Sequence, residues 1–242
     1  MTTADRWARA VREQLGLGRL LPLGGPGDGA WIAERAVREV LLAAAGAVAG
    51  VRTDVLRVAP ADPGDAREPA VPAPPSAVPP GPLRVTADFA ATAAQPLPVT
   101  AARLRAALAT AARGLGLTVT DVDLRATALL ETAAGPAAGP APAPGREPGK
   151  GGAVSRGEGD AGRVADAALA VPGVSRLTAT LGRAVDIAEP PGESALPRRH
   201  VRVELAVGAG HHAVEVARQV RTAVSDALPD RPSVAVLVTA VD

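Results

Sequence analysis

The sequence predicts an α+β fold built from two similar α-β-β-α-β repeats, each a small three-stranded sheet covered by helices. Three observations predict it. The order helix, strand, strand, helix, strand can be read twice along the 242 residues. Local matches between the two passes hold one offset across a strand and a helix. A Pro/Gly-rich stretch at 131–159 separates the two passes and reads as a disordered linker.

Each element has its own signal. In the first pass, AWIAERAVREVLLAAAGAVAG (30–50) has a broad apolar face with Glu34, Arg35, Arg38 and Glu39 mostly opposite, which predicts a helix stopped at Gly50. VRTDVLRVA (51–59) alternates as a strand. LRVTADFAA (83–91) alternates through Leu83, Val85, Ala87 and Phe89. VTAARLRAALATAARG (99–114) is a second helix, and LTVTDVDLRATALL (117–130) a third strand with Thr120, Val122, Leu124 and Ala126 on one face. The second pass opens with DAGRVADAALAVPG, a helix ended by Pro172 and Gly173. VSRLTATLGRAVDIAE (174–189) is a strand with a bend at Gly182. Val201, Val203, Leu205 and Val207 alternate in the next strand. A helix follows with Val214, Ala217, Val220, Val224 and Leu228 as its stripe. SVAVLVTAVD (233–242) is expected to be a short, Val-rich edge strand open to pairing.

The matches between passes are specific positions. Gly50-Val51 answers Gly173-Val174, and VTADF (85–89) answers VRVEL (201–205). Arg103, Leu104, Arg105 and Leu108 answer Gln219, Val220, Arg221 and Val224. The resulting organisation is an N-terminal amphipathic helix at 1–17, a first repeat at 18–130, the linker at 131–159 and a second repeat at 160–242. Residues 60–82 of the first repeat form a Pro-rich loop, with nine Pro among its 23 residues, and read as a spacer.

Composition restricts the chemistry. Aromatic residues are Trp7, Trp31 and Phe89 alone, against 55 Ala, so any core is aliphatic and base stacking has almost nothing to work with. Cysteine is absent, which excludes disulfides, thiol nucleophiles and Cys-ligated metals. Three His do not favour a multi-His metal site, and no cofactor is expected. Net charge is +1, with no bulk attraction to nucleic acid. The start of the chain lacks the apolar stretch of a signal peptide, and the longest apolar run, Val40–Val51, is shorter than the ~20 residues that span a bilayer. A cytoplasmic location is expected.

The segments GRLLPLGGPGDGAWIAERAVREVLLAAAGAVAGV (18–51), AVPGV (170–174) and HVRVELAVGAGHHAVEVARQVRTAVSDAL with SVAVLVTAVD resemble the alkaline shock protein family, the envelope-stress proteins of Gram-positive bacteria. The family pattern is a Gly-Arg opening, a short Asp-containing loop, a helix carrying Ile-Ala-x-x-Ala and a turn ending in Gly-Val. Here the loop at 60–82 is longer than in that pattern, and the second repeat lacks the Gly-Arg opening. The resemblance implies two alkaline-shock-like repeats in a non-enzymatic scaffold of the envelope stress response. Such a protein works at the cytoplasmic face of the membrane through protein partners. A small membrane-anchor protein and related family members are the partners implied, with self-association and only indirect membrane contact. The alternative is a small-ligand-binding regulatory domain, which a concave pocket of convergent polar groups would favour.

Few residues suggest a site. On DRWARAVREQL (5–15), Trp7, Val11 and Leu15 share a stripe flanked by Arg9 and Arg12, a pattern suited to a partner groove or an anionic surface. The GGPGDG loop (24–29) precedes the expected helix but has no Lys, so it reads as a connector rather than a phosphate cradle. His211 and His212 are adjacent and cannot readily share a metal, and His200 is expected to face solvent. GESAL (192–196) lacks the second Gly of a nucleophile elbow. Asp88, Asp121, Asp123 and Asp186 would serve acid/base chemistry only if they met in space.

Overall fold

Alternation of Val201, Val203, Leu205 and Val207 with polar neighbours, and the nearly unbroken apolar run of 233–241, set the position of the central sheet. The computed structural model describes residues 16–131, 159–188 and 199–242. The segment holding Trp7, Arg9, Val11, Arg12 and Leu15, the linker residues 132–158 and the Gly192–Leu196 turn lie outside the described residues.

The fold is mixed α+β. In chain order the elements are β1 (Leu20–Pro22), β2 (Ala30–Ala33), α1 (Glu34–Gly46), β3 (Val51–Pro60), β4 (Leu83–Thr92), α2 (Leu97–Leu115) and β5 (Val119–Leu130). After these come α3 (Asp160–Leu169), β6 (Val174–Leu177), β7 (Val185–Ala188), β8 (His200–Val207), α4 (Ala213–Ala227) and β9 (Ser233–Val241). Helices α2, α3 and α4 form where the periodicity predicts. In α2, Leu104, Leu108, Ala112 and Leu115 make one buried row, Pro98 sits in the first turn where its missing N–H costs nothing, and Gly116 closes the helix at φ 88°. In α4, Val214, Ala217, Val220 and Val224 are buried on one side.

A three-stranded sheet has the order β3-β4-β5, with β3 antiparallel and β4–β5 parallel, the parallel pair being joined by α2. A six-stranded sheet has the order β1-β2-β9-β8-β6, with β7 also on β8. Here β6 and β7 are antiparallel to β8, and β8 is parallel to β9 through α4. The two sheets share details. The register slips between Phe89 and Ala90 on β4 and between Leu205 and Ala206 on β8. Gly50 and Gly173 both take a positive φ before β3 and β6, and their carbonyls accept from Thr92 N and Gly208 N, each at 2.9 Å. One hydrophobic cluster runs through both sheets and all four described helices.

Four expectations about the second half's sheet, its strands and the first helix need correction. The sheet of the second half has six strands rather than three, because the β1–β2 hairpin from the first half joins it. The four residues of β2 are all buried, and Ala30, Trp31 and Ile32 lie parallel to Val236, Leu237 and Val238. The first helix therefore starts at Glu34, since Trp31 and Ile32 bury on opposite faces of a strand rather than on one helical stripe. β9 is not an edge strand, because β2 and β8 occupy both its sides. The strand expected over 174–189 is two short strands interrupted around Gly182 at φ 111°.

The Pro-rich loop is an ordered strap rather than a spacer. Its base is closed by Ala61 N to Pro82 O and Arg67 N to Pro80 O, and it is pinned to the body by Ala70 N to Pro26 O and Val78 N to Leu20 O. Val71 and Val78 are buried, and Trp31, 1% exposed, donates its indole N–H to Val78 O at 3.3 Å. Proline suits this work: it fixes φ in advance and has no N–H to leave unpaired where the strap crosses the body.

Glu204 on β8 is fully buried. Its Oε2 accepts from Leu181 N at 3.0 Å and its Oε1 lies 3.8 Å from Arg202 Nε, while burial pushes its carboxyl pKa up.

Trp31→Ala should lower stability by about 3–5 kcal/mol through lost burial and the cavity left behind. It should also open the Arg67–Glu68 bond to trypsin, which chemical denaturation and limited proteolysis measure together.

Candidate ligand-binding cleft

The outer flank of α4 follows from the same helical period that buries Val220 and Val224. Arg218, Arg221, Thr222 and Ser225 fall on one solvent-side row at i, i+3, i+4 and i+7. Facing that row are Asp230–Val234, where the chain turns from α4 into β9, together with Arg199 and the strap residues Ala70 and Val71. Between them lies a cleft of about 1010 Å³, also bounded by Asp226. Arg231, in the turn, takes φ 45°, a conformation uncommon outside Gly and Asn.

Three of the four arginines are neutralised in place. Arg218 holds Asp28 with two parallel bonds, Nε to Oδ1 at 2.8 Å and Nη2 to Oδ2 at 3.0 Å, and also meets Glu215. Arg199 bridges Asp160 at 2.6 Å and Asp230 at 3.5 Å. Arg231 lies 3.5 Å from Asp226. Arg221 differs. Its Nε donates to Val234 O at 3.0 Å, and its Nη1 donates to Gly27 O at 2.7 Å and Asp28 O at 2.6 Å. Among the described residues no carboxylate lies within ion-pair distance of it. Burial pulls its pKa down, opposed by the Asp28 charge, and it stays a cation at any ordinary pH. Carbonyl dipoles thus hold the guanidinium rigidly without cancelling its charge.

The hydrogen bond and charge of Arg218 hold the Asp28 carboxyl below the usual carboxylate range, and Asp28 in turn raises the Arg218 pKa. Asp28 Oδ2 also accepts from Gly25 N at 2.7 Å and closes the loop on itself. His200, half-buried on β8, shares a 2.8 Å hydrogen bond with Ser233 at the edge of the cleft, and burial pushes its pKa down.

The residues singled out from the sequence fall as follows. GGPGDG joins β1 to β2, so a strand follows it and not a helix. It offers carbonyls to Arg221, the reverse of a phosphate cradle. His211 and His212 are exposed at the start of α4. His200 is half-buried rather than solvent-facing, because Ser233 on β9 and the strap cover it. The aspartates do not meet. Asp121 and Asp123 pair with Arg84 across the three-stranded sheet, at 3.9 and 3.4 Å, Asp88 lies on β4 of that sheet, and Asp186 pairs with Arg202 at 3.3 Å in the other. Among the described residues no group of three or more His, Asp or Glu is placed to hold a metal ion, and no helix is long and apolar enough to cross a membrane. Sequence reasoning missed the arginine row of α4. Its signal was present, since the polar residues of VEVARQVRTAVSD repeat at helical spacing opposite the valine stripe.

Comparison with protein-family models, with curated proteins and with solved structures found no match to the chain.

The Asp28–Arg218 pair carries a pH signature. Because the folded carboxyl titrates below its unfolded value of about 3.9, its stabilisation is complete above that value and is lost as pH falls through the folded one. Asp28→Asn should remove that acid-limb slope and cost about 1 kcal/mol at neutral pH, a figure discounted because Arg218 is nearly half exposed. Denaturation midpoints followed from neutral to acid pH measure both.

Proposed function

We propose that the protein is a small-ligand-binding regulatory domain whose ligand carries a phosphate group on a hydroxyl-bearing frame. The observation that carries this reading is Arg221, a cation fixed by three backbone carbonyls at the wall of an open cleft. A planar guanidinium held in advance loses little entropy when it meets an oxyanion. The hydroxyls of Thr222, Ser225 and Ser233 line the same cleft and suit a polyol or sugar. No lining residue is aromatic, which disfavours a ligand held by base stacking. The cleft size is that of small-molecule sites.

A second reading rests on the resemblance in the two sheets. The slips at Phe89–Ala90 and Leu205–Ala206 are 116 residues apart, the same offset that relates Arg103–Leu108 to Gln219–Val224. That match supports a tandem duplication of an α-β-β-α-β unit. With it comes the expectation of a non-enzymatic, alkaline-shock-like scaffold near the cytoplasmic face of the membrane, working through protein partners. The duplication and a ligand cleft are compatible: Arg105, the counterpart of Arg221, donates to Val122 O at 3.2 Å, whereas the Gly27 and Asp28 carbonyls are given to Arg221.

Thermal denaturation with glucose 6-phosphate, glycerol 3-phosphate and inorganic phosphate tests the first reading. A ligand present at 100 times its Kd should stabilise the protein by about 2.7 kcal/mol. Arg221→Gln should abolish the gain, and Arg231→Gln, outside the carbonyl clamp, should leave most of it. No stabilisation by any of the three compounds would overturn this reading, and recovery of a membrane-anchor protein from native membranes would then favour the second.

A further inference from the structure

We propose that the outer edge of β5 pairs with the β5 edge of a second copy of this chain, forming a symmetric dimer with one continuous six-stranded sheet. β5 is 12 residues long and bonds to β4 on one side only. Among the described residues no strand lies against its other side. An edge of that length presents a row of unpaired N–H and C=O groups, which proteins commonly shield with Pro, charged side chains, bulges or short strands. β5 contains no Pro, Lys or Gly, and its two bulged residues, Thr120 and Thr127, flank a regular stretch that includes residues 122–126.

Its sequence is self-complementary. In an antiparallel pairing with the two-fold axis at Leu124, Asp123 stands opposite Arg125 of the second copy, and Arg125 opposite that copy's Asp123. Leu124 meets its own equivalent, and Val122 meets Ala126. Arg125 is available for this role, since no carboxylate lies within ion-pair distance of it among the described residues, whereas Arg84 already serves Asp121 and Asp123. Opposite charges directly across a strand pair stabilise it, and both pairs form together because the interface is isologous. A net charge of +1 leaves little repulsion between copies. The pairing is independent of the arginine cleft, which is built on α4 and the other sheet.

Sedimentation of the full chain over about two decades of micromolar concentration should show reversible dimerisation. Arg125→Asp alone should weaken it by about tenfold or more, and the double variant Asp123→Arg with Arg125→Asp should restore it. The chain has no cysteine, so a single introduced thiol reads the register. Leu124→Cys should oxidise to a covalent dimer, because the two thiols would sit directly across the axis. Ala126→Cys should not, because its copies would lie about 13 Å apart. A chain that stays monomeric, a dimer indifferent to Arg125→Asp, or equal crosslinking at both positions would each overturn the proposal. Protection of the β5 edge by residues 132–158 or by a different protein would appear as the monomeric result.

Discussion

The parallel ladder between β2 and β9 is the constraint on which the rest of the structure depends. β9 is apolar on both faces, so it needs strands on both sides and cover above and below. β8 supplies one side through its α4 crossover. The other is filled by three residues, Ala30, Trp31 and Ile32, about 200 positions away in the chain. Once they are seated, Gly29 lies against Val234 and Val71 in a left-handed conformation, and its carbonyl accepts from Val236 N. The loop before it is delivered to α4, where Asp28 reaches Arg218 and the Gly27 and Asp28 carbonyls reach Arg221. The strap then has a floor to cross. Cleft, strap and hairpin are thus consequences of one strand insertion.

The charge arrangement beside that ladder separates two kinds of arginine. A bidentate carboxylate, as at Arg218, stabilises both partners but leaves little field for anything else. A carbonyl cradle, as at Arg221, offsets the desolvation of the cation through oriented dipoles and leaves a net positive charge. The neighbouring Asp28 carboxylate is occupied by Arg218 and Gly25, so it moderates that charge without forming an ion pair. The division of labour makes Arg218 a fastener and leaves Arg221 a cation with no carboxylate within ion-pair distance among the described residues.

What could be read from the sequence was local. The stripes of α2 and α4, the alternation of β4 and β8, and the stops at Gly116 and Gly173 follow from neighbours a few residues apart. The shared offset between halves was also visible, because it is a spacing along the chain itself. Position in a sheet was not. Ala30–Ala33 is too short to announce a strand and merges into the apolar stripe of α1, and nothing within β9 says that its second edge is taken. The strap read as a spacer for the same reason: proline content describes backbone stiffness, whereas its docking rests on Trp31, Leu20 and Pro26, all distant in sequence. The cleft needed both levels, a helical row that the sequence displays and a facing wall that only tertiary structure assembles.

The near absence of aromatic residues gives the strap an optical consequence. The chain has two tryptophans and no tyrosine, and within the described residues Trp31 is the sole indole. It lies beneath the strap, away from water, with its N–H committed to Val78 O. Among the described residues ultraviolet emission therefore comes from Trp31 alone, and replacing Trp7 with Phe would make it the one indole of the chain. A red shift on lifting the strap would be a local signal, separable from the loss of helical dichroism that accompanies global unfolding, so the molecule contains its own spectroscopic gauge of whether that cover is closed.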